Sequence, residues 1–275
     1  MVGDPDSVKQ HHQSNVTINF LKESGIKMHY ISNSITTAPT LSQVSRLLAT
    51  AMPFSEEYTD DDIFITADAD MMPFHLKNHI PNILADQKAY FYNADCTGPI
   101  RVPPKRGNYK VPMYPMSTIS ATVATWREIM GLSSTNYGGH EIEEYLENEF
   151  GQEYFHLINV NTRGFRGSSV WYADQSLVSY KVAEWFKANP KNRAAATLTR
   201  GGCYPRIDRI RWPNPSEMLK QNLNQLGDAH LLANGYTDSQ WKLFEPLVQL
   251  VFNGSKYDYL RSRLTKYRMD YVSSV

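Results

Sequence analysis

Apolar positions along this chain change their spacing with the elements they predict. Ile63-Phe64-Ile65-Thr66 is a continuous apolar run, the pattern of a strand covered on both faces and so of parallel pairing. Upstream, Leu41, Val44, Leu48 and Ala51 recur at three- and four-residue spacing behind Pro39. That is an apolar helical stripe, with proline suited to its first turn. The stretch from Asp6 to Ser24 predicts a helix stopping near Gly25, and Lys27 to Ile31 a short strand. Met1-Val2-Gly3-Asp4-Pro5 reads like the end of a strand entering a turn. Strand, helix, strand, helix, strand is the alternation of an α/β fold with a parallel sheet.

Beyond the central run, Leu76, Ile80, Ile83 and Leu84 predict a helix disturbed by Pro81, and Ala89 to Tyr92 a strand. Ser120 to Met130 and Glu141 to Phe150 read as helices, and Phe155 to Val160 as a strand. A further helix follows Asp174, with Val178, Val182 and Trp185 inward. Trp241, Phe244, Val248 and Val251 predict a tail helix, kinked or restarted at Pro246. We expect one domain over residues 1–275: a core of 1–235 and a helical extension of 236–275. Between Cys96 and Pro115, prolines at 99, 103, 104, 112 and 115 predict a long irregular segment. Its Arg101, Lys105, Arg106 and Lys110 read as either phosphate-attracting or merely solvated.

Charge removes some alternatives. Lys+Arg and Asp+Glu each total 28, so no net charge favours nucleic acid or anionic lipid. No apolar run is long enough to span a membrane, and no apolar signal segment follows the N-terminus. Cys96 and Cys203 either pair or stay free. Asn15-Val16-Thr17 and Asn253-Gly254-Ser255 match glycosylation sequons, which matter only in a secretory lumen. The compartment is left open.

The chemistry concentrates after the central run. Asp68-Ala69-Asp70 follows it at once, and residues two apart in an extended chain point the same way. Both carboxylates can therefore face one hard cation, Mg²⁺ or Mn²⁺, at the strand's carboxyl end. Asp60, Asp61 and Asp62 read as a solvated acidic loop. Asn161-Thr162-Arg163-Gly164-Phe165-Arg166 is a basic loop whose Arg163 and Arg166 could clamp a diphosphate. Asp174 opens a helix, where capping is a sufficient job for an aspartate. Trp171 and Tyr172 either stack on a ligand or pack inward.

The apolar strand running into Asp68-Ala69-Asp70 resembles the DxD motif of glycosyltransferases with the GT-A fold. The resemblance implies a Rossmann-related, mostly parallel sheet flanked by helices, and a nucleotide-sugar donor such as a UDP- or GDP-sugar. Asp68 and Asp70 would hold Mn²⁺ or Mg²⁺ against the donor's diphosphate. Against that family's pattern, the first strand–helix unit would be missing upstream of Met1. Many such enzymes carry an acidic residue followed by Gln at a helix start facing the sugar, which assigns Asp174 and Gln175 to the reaction centre. Several supply a histidine from near the C-terminus, which makes His230, in Asp228-Ala229-His230, the third metal ligand; His75 and His79 are weaker candidates. The acceptor would be a hydroxyl of a glycan, a protein or a small molecule. Two other readings stand beside this one. A catalytically inactive relative would keep the fold as a binding or structural protein. A haloacid-dehalogenase-type phosphohydrolase also uses DxD after a strand, but Met72 stands four residues after Asp68, where that motif carries Thr or Val.

Overall fold

The computed structural model describes residues 5–32, 36–94, 98–133, 135–153, 172–199 and 205–273. In chain order these form helices α1 (Pro5–Gln10), α2 (His12–Glu23) and α3 (Ala38–Ser45), then strands β1 (Ile63–Ala67), β2 (Met71–Pro73), β3 (Ala89–Phe91), β4 (Ile100–Arg101), β5 (Lys110–Val111) and β6 (Thr118–Thr122). Helices α4 (Val123–Met130), α5 (Gly139–Phe150), α6 (Ala173–Ala188) and α7 (Pro190–Ala194) lead to strand β7 (Ala196–Leu198). Strand β8 (Arg206–Asp208), helix α8 (Pro215–Met218), strand β9 (Asp228–His230) and helices α9 (Asp238–Val251) and α10 (Asp258–Val272) complete the series. The result is a mixed α/β chain with both parallel and antiparallel pairing.

Two compact units emerge. The first contains Tyr30–Asp68 and Lys77–Cys203, the second Asp4–His29, Ala69–Leu76 and Tyr204–Val275. In the first, a four-stranded sheet runs in the order β1-β6-β3-β7. Strand β6 is antiparallel to β1 and β3, while β3 and β7 are parallel. Phe91, Ile119 and Ala121 from the sheet pack with Leu41, Val44, Leu48, Leu177 and Val178 from the helices, forming this unit's core. In the second, a three-stranded sheet of order β2-β9-β8 carries Ile207 and Ala229 against Met218 and Leu247.

Several expectations change here for local reasons. Antiparallel pairs predominate over parallel ones among the described residues, so β1 is not a strand buried on two parallel sides. It is the outer strand of its sheet as described, and Ile65 is 41% exposed. Ser120 to Thr122 belong to β6 and not to a helix, because Thr122 is the N-cap: its hydroxyl accepts from Thr125 N at 3.3 Å. The helix predicted around Ile80 is reduced to helical turns at Leu76–Asn78 and Ile83–Ala85 on either side of Pro81. Leu76 and Leu84 are exposed, so those apolar positions form no buried face. His11, in an extended conformation, splits the first predicted helix into α1 and α2, which ends at Gly25 with φ +74°. Between Lys27 and Ile31 only Ile31 makes a strand-type bridge. The strand predicted at 155–160 lies outside the described residues.

Candidate functional site

In the first unit, the carboxyl end of β1 delivers Asp68, whose backbone N–H donates to Met116 O at 3.0 Å. The side chain that organises this end was not singled out from the sequence. Arg46 begins the helical turn Arg46–Ala51 directly after α3. Its Nε donates to Gln43 O at 3.0 Å, and its Nη1 donates to Ala67 O at 3.0 Å and to Asp68 Oδ1 at 2.7 Å. Its Nη2 donates to Asp174 Oδ2. One guanidinium thus joins two carboxylates more than a hundred residues apart in sequence, a task its planar fork of donors suits.

Asp174 is the second residue of α6, and the N-cap position belongs to Tyr172. The aspartate therefore does not cap the helix. Its Oδ1 accepts from the N–H of Gln175 at 2.8 Å, and its place in the first turn sets a negative charge at the positive end of the helix dipole. The Asp174 side chain is only 4% exposed, against 36% for Asp68. Burial pushes the Asp174 carboxyl above the usual carboxylate range, and the charge of Arg46 opposes that rise. Beside it, Gln175 Oε1 is buried with no hydrogen-bond partner among the described residues.

In the second unit, Asp70 stands just before β2, and its backbone oxygen accepts from Leu231 N at 2.8 Å. Asp70 Oδ2 lies 2.8 Å from Arg209 Nη1 and 3.4 Å from His230 Nε2. Strand pairing explains the meeting: on central β9, His230 is opposite Met71 on one side and Asp208 on the other. The other ring nitrogen, Nδ1, is 3.9 Å from Asp208 Oδ2. Two residues earlier on β9, buried Asp228 is gripped by Arg206, Nε to Oδ1 and Nη2 to Oδ2, each at 2.9 Å. Burial pushes the Asp228 carboxyl up, and Arg206 opposes it.

Asp68 in the first unit and Asp70 in the second are partly exposed carboxylates, the donor type of hard cations, and of the predicted ligands Asp70 and His230 meet within the second unit. Each carboxylate now faces an arginine, Arg46 or Arg209. Among the described residues, no group of three or more His, Cys, Asp and Glu side chains is arranged to hold a metal ion. A cavity lined by Arg46, Thr66 and Trp126 measures about 30 Å³, room for one water and not for a nucleotide. A cavity of about 830 Å³ lies instead between α9 and α10, lined by Trp241, Glu245, Arg261 and Lys266, and none of the predicted site residues line it.

The remaining candidates divide by what holds them. His79 is buried, its Nδ1 2.8 Å from Thr118 Oγ1 and its ring against Tyr92. His75 Nε2 lies 3.0 Å from Leu223 O, so both histidines are engaged within the fold. Arg106 pairs with Glu149 at 3.0 Å, and Arg101 binds Asn108. Tyr172 packs inward against the cluster of Ile100, Val102 and Val111. Arg163, Arg166, Trp171, Cys96 and Cys203 lie outside the described residues. Sequence reasoning missed Arg46, Arg206, Asp208, Arg209 and Asp228. Arg46 carried one signal, a lone cation in the apolar helical stretch preceding the acidic strand end. Compared with known proteins, the chain matches no family model, no curated protein and no solved structure.

Proposed function

We propose that this chain is a metal-dependent glycosyltransferase that moves a sugar from a nucleoside-diphosphate donor to an acceptor hydroxyl, on a GT-A-like framework. One observation carries the reading. Asp68 of the strand-borne DxD and Asp174 of the later Asp-Gln, chosen separately for their chemistry, are joined through Arg46. A solvated acidic loop and an ordinary helix cap would have no reason to share one partly buried guanidinium.

In this reading Asp70 and His230, which meet in the second unit, would offer an oxygen and a nitrogen to Mn²⁺ or Mg²⁺, and Asp68 is assigned to the cation by the sequence motif alone. The cation, when bound, neutralises the diphosphate as it leaves. The bond from the sugar's anomeric carbon to the diphosphate oxygen breaks, and its electron pair departs with the diphosphate. The acceptor oxygen forms the new bond to that carbon, and its proton passes to the departing diphosphate. Asp174 presents its buried carboxyl near the reacting sugar, with Arg46 offsetting part of the cost of a charge there. Gln175, whose buried oxygen has no partner among the described residues, is the neutral polar neighbour in that environment. Arg163 and Arg166 are assigned to the diphosphate by the sequence motif alone.

Titration calorimetry with a panel of nucleoside diphosphates, with and without Mn²⁺, tests the reading. Wild-type protein is expected to bind at least one of them only when the cation is present. Asp70→Asn should lose both that binding and metal-dependent donor hydrolysis, with an unchanged circular dichroism spectrum. Unaltered binding and turnover in Asp70→Asn would refute the metal role.

A further inference from the structure

A helix in a folded domain normally buries one face, yet α10 buries none of its 15 residues. It is tied down on two sides instead. Towards α2, its Tyr267 ring packs on Phe20 and the Tyr267 hydroxyl lies 3.0 Å from Thr17 Oγ1. Towards α9, two arginines seven residues apart act as pillars. Arg261 Nη1 donates to Phe252 O and, at 3.2 Å, to Gly254 O, just past the C-terminal end of α9. At the other end, Arg268 Nε donates to Tyr236 O at 3.0 Å, its Nη2 binds Asp238, and its guanidinium lies over the Trp241 ring. Between these ties α9 and α10 stand apart, and the gap is the cavity of about 830 Å³, within the size range of ligand sites.

The lining decides what chemistry fits. Trp241, Glu245, Gln249 and Asn253 recur every four residues, so they form one stripe along the gap over about 18 Å of helix rise. Ser262 and Thr265 line it from α10, and Val248 and Met269 add apolar surface. The cations of the lining are already engaged: Arg261 holds backbone oxygens and Asp258, and Lys266 holds Asp270. Among the described residues, the side chains of Glu245, Gln249, Asn253, Ser262 and Thr265 carry no hydrogen bond or ion pair within the fold. Of the charges lining the gap, the Glu245 carboxylate is thus the one without a counter-ion among the described residues, and it repels phosphate and carboxylate ligands. An apolar helix fits no better, because it would strip water from the hydroxyls and amides and return no hydrogen bonds. A neutral molecule with many hydroxyls and a C–H face for the indole satisfies both walls.

We propose that the cleft between α9 and α10 binds a neutral oligosaccharide. A C–H face of one ring rests on Trp241, sugar hydroxyls donate to the Glu245 carboxylate, and the amides of Gln249 and Asn253 exchange hydrogen bonds with the rings that follow. A stripe repeating every four residues suits a chain of rings and not a single one. The site uses none of Asp68, Asp70, Asp174 and His230, so it goes beyond the proposed transfer and stands without it.

Saturation-transfer NMR with cellotetraose, maltotetraose, mannotetraose and N-acetylchitotetraose, one at a time and without nucleotide or cation, tests the site with no turnover involved. Wild-type protein should bind at least one of the four. Glu245→Gln and Gln249→Ala should each weaken that binding about tenfold, the worth of one good hydrogen bond to a charged or polar partner. Trp241→Ala should abolish it. Trp241 also packs against Phe244 and under Arg268, so its variant is checked by thermal melting. If it fails to fold, Glu245→Gln and Gln249→Ala, which break no hydrogen bond of the described fold, decide the matter. Binding unchanged in both of them overturns the cleft as the site, and no binding of any of the four overturns the ligand class. Inorganic phosphate is the charged control and should not bind; phosphate binding that disappears in Lys266→Gln would show the cations to be available and overturn the neutral ligand. Mn²⁺-dependent binding of nucleoside diphosphates, followed in Glu245→Gln and Gln249→Ala, should match wild type, so the transfer reading and this one fail separately.

Discussion

At the scale of single residues, the molecule stands out for carboxylates placed where ionisation is costly. Asp174 and Asp228 are both buried, and burial holds both above their ordinary value near 3.8. A carboxyl raised in the folded state keeps its proton more firmly there than in the unfolded chain. Its contribution to stability is thus largest at low pH, falls as pH rises from about 3.8 through the folded value, and is flat beyond. Asp174→Asn removes one such group. Wild-type stability relative to Asp174→Asn, followed by urea denaturation from pH 4 to 8, should therefore decline as pH rises and then level off. A rising difference would mean that Arg46 outweighs burial at this carboxylate. Asp174 was legible in the sequence as a helix-start acid, yet its partner was not. An ion pair across more than a hundred residues leaves no periodic or local trace, and only the packing of α3 and α6 in one core brings Arg46 and Asp174 together.

At the scale of elements, close packing sets limits that propensity cannot reveal. Helix α5 begins at Gly139, where an added Cβ would stand 1.7 Å from Ser32 O and 2.9 Å from Ser32 C. Both are backbone atoms, so no side chain can turn aside, and the helix start or the segment after Ile31 must shift. Gly139→Ala should destabilise by about 2 kcal/mol and lower Tm by roughly 5 °C, as read by thermal denaturation. An unchanged Tm would show that this approach relaxes freely. The same distinction governs what was read correctly among the elements. Helix α3 follows from Pro39 and its apolar stripe, and β3 from Ala89-Tyr90-Phe91, because these signals are local. The β6–α4 junction was misplaced because Thr122 serves as strand residue and N-cap at once, and helical apolar spacing continues across it. Parallel pairing was inferred for β1 from its composition, but strand direction depends on which segment returns beside it, here β6.

At the scale of the whole molecule, the proposal makes a thermodynamic demand. A nucleoside diphosphate with Mn²⁺ that binds only the folded protein should stabilise it by about 2.7 kcal/mol at a hundredfold excess over Kd. For a chain of this length that is a rise in Tm of roughly 5–10 °C. Chelating the cation with EDTA should abolish the rise, and Asp70→Asn should not show it. No shift with any nucleoside diphosphate, while Mn²⁺ alone still binds, would favour a cation-binding relative that does no transfer.

The amino-acid order by itself determined that a proline-started helix with an apolar stripe leads to an apolar strand running into Asp68-Ala69-Asp70, because hydrophobic spacing and proline act over a few residues. It also placed a second acid at a helix start and a histidine late in the chain. The tertiary structure alone decided which charges meet: Asp68 and Asp174 on Arg46 in one unit, Asp70 and His230 with Arg209 in the other. Those pairings depend on strand register and on which faces are packed together, and long-range electrostatics of that kind is written in three dimensions, not in spacing along the chain.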